Sequence, residues 1–167
     1  MKLKAISIAC LSLAAAFFVN AKDPSSLNAS DEKFVKMAAE SGMTEVKVAE
    51  LGAQKATRAE VKALAETMIK DHTMLNEGLT ALASTKGAQL SSVIAPKGAD
   101  TVKDLEKYSG EEFDKQFLEA MKDGHEKSVK NFKDAAENAK DGEVKAFASK
   151  NLPTIEGHLE HIKRLQK

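Results

Sequence analysis

Four long stretches of this chain repeat apolar residues at intervals of three and four, the spacing that keeps side chains on one face of an α-helix. The stripes run through Phe34, Ala38, Ser41, Val48 and Gly52; through Val61, Ala65, Met68, Leu75, Leu79 and Leu82; through Leu118, Met121 and Phe132; and through Val144, Ala148, Asn151, Ile155, Ile162 and Leu165. A helix with one apolar face must bury it against another element, so the chain is read as all-α, four helices packed on one another. Each stretch has recognisable ends. Ser30 is placed to cap the first helix, with Asp31 and Glu32 in a first turn where the helix dipole favours acidic groups. Thr57 with Glu60, and Ser109 with Glu112, have the capping-box spacing for the second and third. Gly87 stops the second, Asp141 followed by Gly142 starts the fourth, and Pro153 predicts a kink within it.

The links near Thr57 and Asp141 are tight turns. Gly87 to Tyr108 is far longer than the roughly two to eight residues usual between bundle neighbours, and it contains Pro96, Gly98 and a short helical piece beginning near Thr101. Such a link can traverse a whole bundle. Two hairpins joined by one long crossover form the ferritin-like arrangement, so the reading is a ferritin-like four-helix bundle with a long connection between helices 2 and 3. An up-and-down bundle with an irregular loop is the alternative. No internal repeat, phosphate-cradling glycine loop or low-complexity tract stands out.

The first residues have a short positive head (Lys2, Lys4), an apolar run from Ala5 to Val19, and then Val19-Asn20-Ala21, the small-residue pattern of a cleavage site. Residues 1–21 therefore read as an export signal, 22–29 as a flexible N-terminal segment and 30–167 as the bundle domain. The apolar run falls short of the roughly 20 residues a spanning helix needs, so no stable membrane insertion is expected after signal removal, and the location expected is periplasmic or otherwise exported. Cys10 is the only cysteine and lies inside the signal; lipidation there is a lesser alternative, because the apolar run continues well past it. Without Lys2 and Lys4 the chain has 23 basic against 25 acidic residues, a net charge of −2. That balance argues against nucleic acid or an anionic membrane surface as partner.

One ionisable residue interrupts the inward stripe of each helix: Glu45, His72, His125 and His158. Their heights can be compared from the turns, because an α-helix rises about 1.5 Å per residue. Counted from Thr57, Glu45 and His72 differ in height by about 5 Å, and counted from Asp141, His125 and His158 differ by about 2 Å. All four sit near mid-helix, so they are expected to share one layer. A buried carboxylate needs a partner, and each imidazole has two nitrogens to satisfy. One Glu and three His at one level can do so around a cation, with Zn, Cu, Fe, Mn or Ni suited to such donors. They can also form a Glu–His hydrogen-bonded layer that binds nothing. Gly124 and Gly157, each just before a histidine, leave room beside the layer. Asp71, Asp123 and Glu156 are candidate acceptors behind the imidazoles. His161 leans off the stripe and reads as surface. Asp114 stands about 16 Å from His125 and reads as a carboxylate serving a helix N-terminus. The methionines at 37, 43, 68, 74 and 121 read as core filler.

The segments FVKMAAESGMTEVKVAELGAQKA, VKALAETMIKDHTMLNEGL, GEEFDKQFLEAMKDGHEKSV and VKAFASKNLPTIEGHLEHI closely resemble the exported bacterial family called domain of unknown function 4142. The resemblance runs from about Asp31 to Leu165, with matching positions at Glu45, Asp71-His72, Phe113-Asp114, Asp123 with His125, and Leu152-Pro153 with His158. It implies a ferritin-like four-helix bundle and an exported location, and brings no settled activity. The wider ferritin-like group implies a carboxylate-bridged di-iron centre built on Glu-x-x-His. Here Ile69, Lys122 and Ile155 occupy the positions three before the histidines, which disfavours that centre.

The functional expectation is therefore a single transition-metal ion held by Glu45, His72, His125 and His158, in metal handling or envelope stress. The competing expectation is a metal-free structural or interaction module with a buried Glu–His layer. No nucleophile–base pair is legible, so enzymatic activity is left open, and no protein partner is identified.

Overall fold

The computed structural model describes residues 26–167; the export-signal reading of residues 1–21 falls outside them. Within them the chain is all-helical: α1 (Ala29–Lys55), α2 (Ala59–Thr85), α3 (Pro96–Glu106), α4 (Gly110–Asn138) and α5 (Gly142–Leu165). None of these helices is long and apolar enough to cross a membrane. The four long helices are those expected, and α5 continues through Pro153.

Hydrogen bonds at the helix ends settle the topology. Asp31, in the first turn of α1, accepts from the backbone N–H groups of Lys140 and Asp141, while Thr57, just past α1, donates to Asp114 near the start of α4. Hence α1 and α4 run antiparallel. Arg58 reaches the carbonyl of Leu165, and Lys86 pairs with Asp141 and Glu143, so α2 and α5 also run antiparallel. With a tight turn inside each hairpin, α2 and α4 then point the same way. The connection between them must travel the full length of the molecule, and α3 lies along it against α1 and α4. Lys55 Nζ ties its end by donating to the carbonyl of Glu106 at 2.7 Å. The long connection thus runs from one end of the helices to the other, with α3 along it.

Several helix ends differ from expectation. The cap of α1 is Asn28, whose side chain accepts from the N–H groups of Ser30 and Asp31, and Leu27 before it is buried in the core. Ser30 thus lies inside the helix. Arg58 and Ser109 occupy the caps of α2 and α4 without side-chain cap bonds, so neither capping box forms. The reason at Thr57 is a stronger acceptor from another helix. Asp114, only 2% exposed, accepts from Thr57 N (2.9 Å), Thr57 Oγ1 (2.7 Å) and Arg58 N (2.8 Å). Asp114 therefore serves the N-terminus of α2 rather than its own helix. Asp31, equally buried, does the same for the α4–α5 turn. Each hairpin turn is thus held by a buried aspartate near the start of a helix in the other hairpin. Asp141 caps α5 as expected, accepting from Glu143 N and Val144 N.

The apolar interior forms two clusters. One gathers Phe34, Val35, Leu75, Leu79, Phe132, Val144 and Ile155; the other gathers Val48, Val61, Leu64, Met68, Phe113, Phe117, Met121 and Ile162. Each buried apolar side chain of this size contributes roughly 1.5–3 kcal/mol by leaving water. On every long helix the boundary between the clusters falls at one residue: Glu45, His72, His125 or His158. Met68 and Met121 are core filler, but Met74 is 54% exposed. It lies at the α2–α5 surface, beside Leu75 at the edge of the core.

Candidate metal centre

The polar layer between the two apolar clusters is built from all four long helices. His125 is fully buried, His72 is 2% exposed, Glu45 5% and His158 7%. The rings of His72, His125 and His158 lie with centroids 5.2–5.5 Å apart, and one nitrogen from each falls within 4.8 Å of the other two. The heights counted from the turns thus bring all four residues together. Glu45 stands behind the cluster rather than in it. Its Oε2 is 3.1 Å from His72 Nδ1 and its Oε1 is 3.8 Å from His125 Nδ1.

Each imidazole has its outer nitrogen engaged by an oxygen. His125 Nδ1 donates to the carbonyl of Met121 at 2.9 Å, one turn back on α4; a carbonyl can only accept, so Nε2 of that ring is bare when neutral. His72 Nδ1 faces Glu45, and His158 Nε2 faces Asp71 Oδ2 at 3.0 Å. With Asp71 accepting, His158 Nδ1 is left bare, and it is buried without a hydrogen-bond partner. Inside the layer His72 Nε2 and His125 Nε2 stand 3.2 Å apart. Two nitrogens bound at about 2.0–2.1 Å to one tetrahedral ion are separated by about 3.3 Å. Three imidazoles with oxygens behind them and their remaining nitrogens converging have the donor set and outer support of a metal site.

Electrostatics agree with that reading. Burial lowers the pKa of His72 to about 3, helped by the neighbouring His125 and His158, and burial lowers His125 to about 4. Both rings are therefore neutral and able to donate lone pairs at physiological pH. Burial also pushes Glu45 up to about 7, opposed by hydrogen bonds from Ser128 and Ser41.

Of the outer acceptors read from the sequence, Asp71 touches a histidine, whereas Asp123 and Glu156 are exposed. Gly124 does face the layer: a Cβ there would lie 3.3 Å from Glu45 Oε1, while a Cβ on Gly157 would meet nothing. His161 is half-buried and outside the cluster. Two supporting groups escaped the sequence reading. Ser128 Oγ donates to Glu45 Oε1 at 3.1 Å and lies 3.3 Å from Ser41 Oγ. Ser128 is a small polar residue one turn beyond His125 on a stripe of apolar ones, which is a usable signal. The Met121 carbonyl has none, because every helical residue carries one.

Solved structures share the fold. A DUF305 fragment from Deinococcus radiodurans matches with a TM-score of 0.75 at 17% identity, covering 84% of this chain and 97% of that one. CopM in the Cu(I)-bound form matches with a TM-score of 0.67 at 18% identity, covering 81% of this chain and 94% of that one. CopM in the Cu(II)-bound form gives 0.67 at 17% identity, with 81% and 95% covered. No curated protein matches in sequence. Residues 18–165 match the family described as Domain of unknown function (DUF4142), and with nearly the whole chain covered, the protein belongs to that family.

Proposed function

We propose that this protein is an exported ferritin-like four-helix bundle that binds one transition-metal ion, copper in the first place, on His72, His125 and His158. The observation that carries the reading is the convergence of three buried imidazoles, each with one nitrogen facing an oxygen behind it. The rings converge with His125 Nδ1 on the Met121 carbonyl, His158 Nε2 on Asp71 and His72 Nδ1 facing Glu45, and His158 Nδ1 is buried with no hydrogen-bond partner. Glu45 orients His72 from behind, and its carboxylate, with that of Asp71, offsets the charge of a cation in an otherwise apolar interior. Among the ions suited to imidazole, copper binds such donors most tightly in the divalent series. The bundles of similar fold crystallised with Cu(I), Cu(II) and silver support the same choice. The role that follows is metal handling or protection from metal stress in the cell envelope, with the signal-like residues 1–21 supporting export.

The test is metal analysis of tag-free protein recovered from the exported fraction, alongside His72→Ala and His125→Ala. About one copper ion per wild-type chain and a near-complete loss in both variants is the expected result. Equal, near-zero metal in all three proteins, with no uptake on copper addition, would leave a metal-free hydrogen-bonded layer as the function of these residues.

A further inference from the structure

The three imidazoles are not equally shielded. Exposure rises from His125 through His72 to His158, and the outer two line a cleft of about 320 Å³ between α2 and α5. The unpartnered Nδ1 belongs to the most exposed of the three rings. The same cleft is lined by Asp71, Thr154 and Met74, the last being one of two large apolar side chains left exposed among the described residues. A thioether is a soft donor that suits Cu(I). On the opposite face a groove of about 500 Å³ between α1, α3 and α4 ends on Glu45 instead. An ion arriving there meets a carboxylate on the Nδ1 side of His72, away from the converging Nε2 atoms.

We infer that a soft monovalent cation enters the three-imidazole site through the α2–α5 cleft, with the Met74 thioether as its first ligand at the mouth. The ion then passes Asp71 to His158 and on to His72 and His125, each transfer going to a more buried nitrogen. The order follows the exposure gradient. The route rests on the metal reading above, but it concerns the rate of loading rather than the final content.

The experiment uses the full exported chain and Cu(I) supplied as its coloured bicinchoninate complex, with loss of colour giving the loading rate and metal analysis the final content. Met74→Leu keeps the apolar volume and removes the sulfur. Thr154→Phe narrows the cleft from an exposed helical position, and Thr101→Phe narrows the opposite groove as control. Met74→Leu and Thr154→Phe are expected to slow loading about tenfold while reaching wild-type content, with Thr101→Phe unchanged. Wild-type rates in Thr154→Phe, or slowing by Thr101→Phe instead, would overturn the route. A wild-type rate in Met74→Leu would overturn the thioether's part in it. Absence of copper from every protein, wild type included, would instead defeat the site itself. Circular dichroism confirms that each variant has folded.

Discussion

His72 Nε2 lies 3.2 Å from His125 Nε2, and in the ion-free protein only one of the two can be the acceptor. His125 spends its N–H on the Met121 carbonyl, so the proton between the rings must sit on His72. His72 Nδ1 is then an acceptor facing the Glu45 carboxyl. The chain from Glu45 to His125 then holds one proton more than it would with a cation held by the two imidazoles. A buried carboxyl raised to about 7 is the natural store for it.

The pH dependence of stability follows from these shifts. Glu45, raised from 4.5 to about 7, contributes stability that is full below pH 4.5 and is lost as pH rises through 7. His72 and His125, lowered to about 3 and about 4, contribute stability that is full above pH 6.5 and is lost as pH falls through those values. From pH 6.5 down to 4.5 two histidines oppose one carboxyl, so the metal-free protein is expected to weaken on acidification. Glu45→Gln removes only the carboxyl's share. Its urea-derived stability should therefore gain on wild type between pH 5 and 7, by up to about 1.4 kcal/mol per pH unit. A difference that does not change with pH would show that Glu45 does not hold the proton.

Asp71 fixes the tautomer of His158 through the 3.0 Å bond to Nε2. Asp71→Ala is expected to weaken copper binding by about 10–100-fold without unfolding the protein. Asp71→Asn, whose amide oxygen can still accept, should lose much less. Competition titration against a chelator of known affinity measures both, and equal affinity in wild type and Asp71→Ala would remove the aspartate from the site.

The two turn-capping aspartates should act on stability alone. Asp114→Ala strips acceptors from Thr57 and Arg58, and Asp31→Ala strips them from Lys140 and Asp141. Each is expected to cost about 2–3 kcal/mol, the range for buried donors left unsatisfied at a helix cap. They serve opposite ends of the molecule, so urea melts of the double variant should give the sum to within about 0.5 kcal/mol. Copper content per folded chain should stay at the wild-type level.

Glycine substitutions separate close packing from mere helix cost. A Cβ on Gly52 would lie 2.5 Å from Phe117 Cε2, in a fully buried ring, and 3.0 Å from the Ala65 Cβ. Gly52→Ala is expected to destabilise by about 1–3 kcal/mol despite alanine's better helix propensity. Gly157, open on all sides, should respond oppositely: Gly157→Ala gains about 1 kcal/mol. Thermal melts of the two variants should move in opposite directions.

Much of the architecture was legible along the chain. The stripes through Phe34, Val61, Leu118 and Val144 place four helices, and the long stretch from Gly87 to Tyr108 is the crossover. The layer of Glu45, His72, His125 and His158 was legible too, since each residue breaks an apolar stripe at a comparable distance from a turn. The caps were read less well. Ser30, Thr57 and Ser109 have the right local chemistry, but Thr57 is claimed by Asp114 and Ser30 is displaced by Asn28. Met74 reads as core filler by residue type alone, whereas its neighbours at helical spacing are Lys70, Asp71, Glu77 and Gly78 and the side chain is exposed.

What the sequence determined by itself is everything that depends on position along one rod: where each helix runs, which face it buries, and how deep its polar residue lies. Constant rise per residue and a side-chain period of 3.6 convert spacing directly into height and direction. What only the tertiary structure decided is which nitrogen faces inward and which oxygen stands behind it. Asp71 on α2 orients His158 on α5, and Glu45 on α1 meets His72 on α2 and Ser128 on α4. Those contacts join residues far apart in the chain, so they exist only once the rods have been packed at a particular rotation.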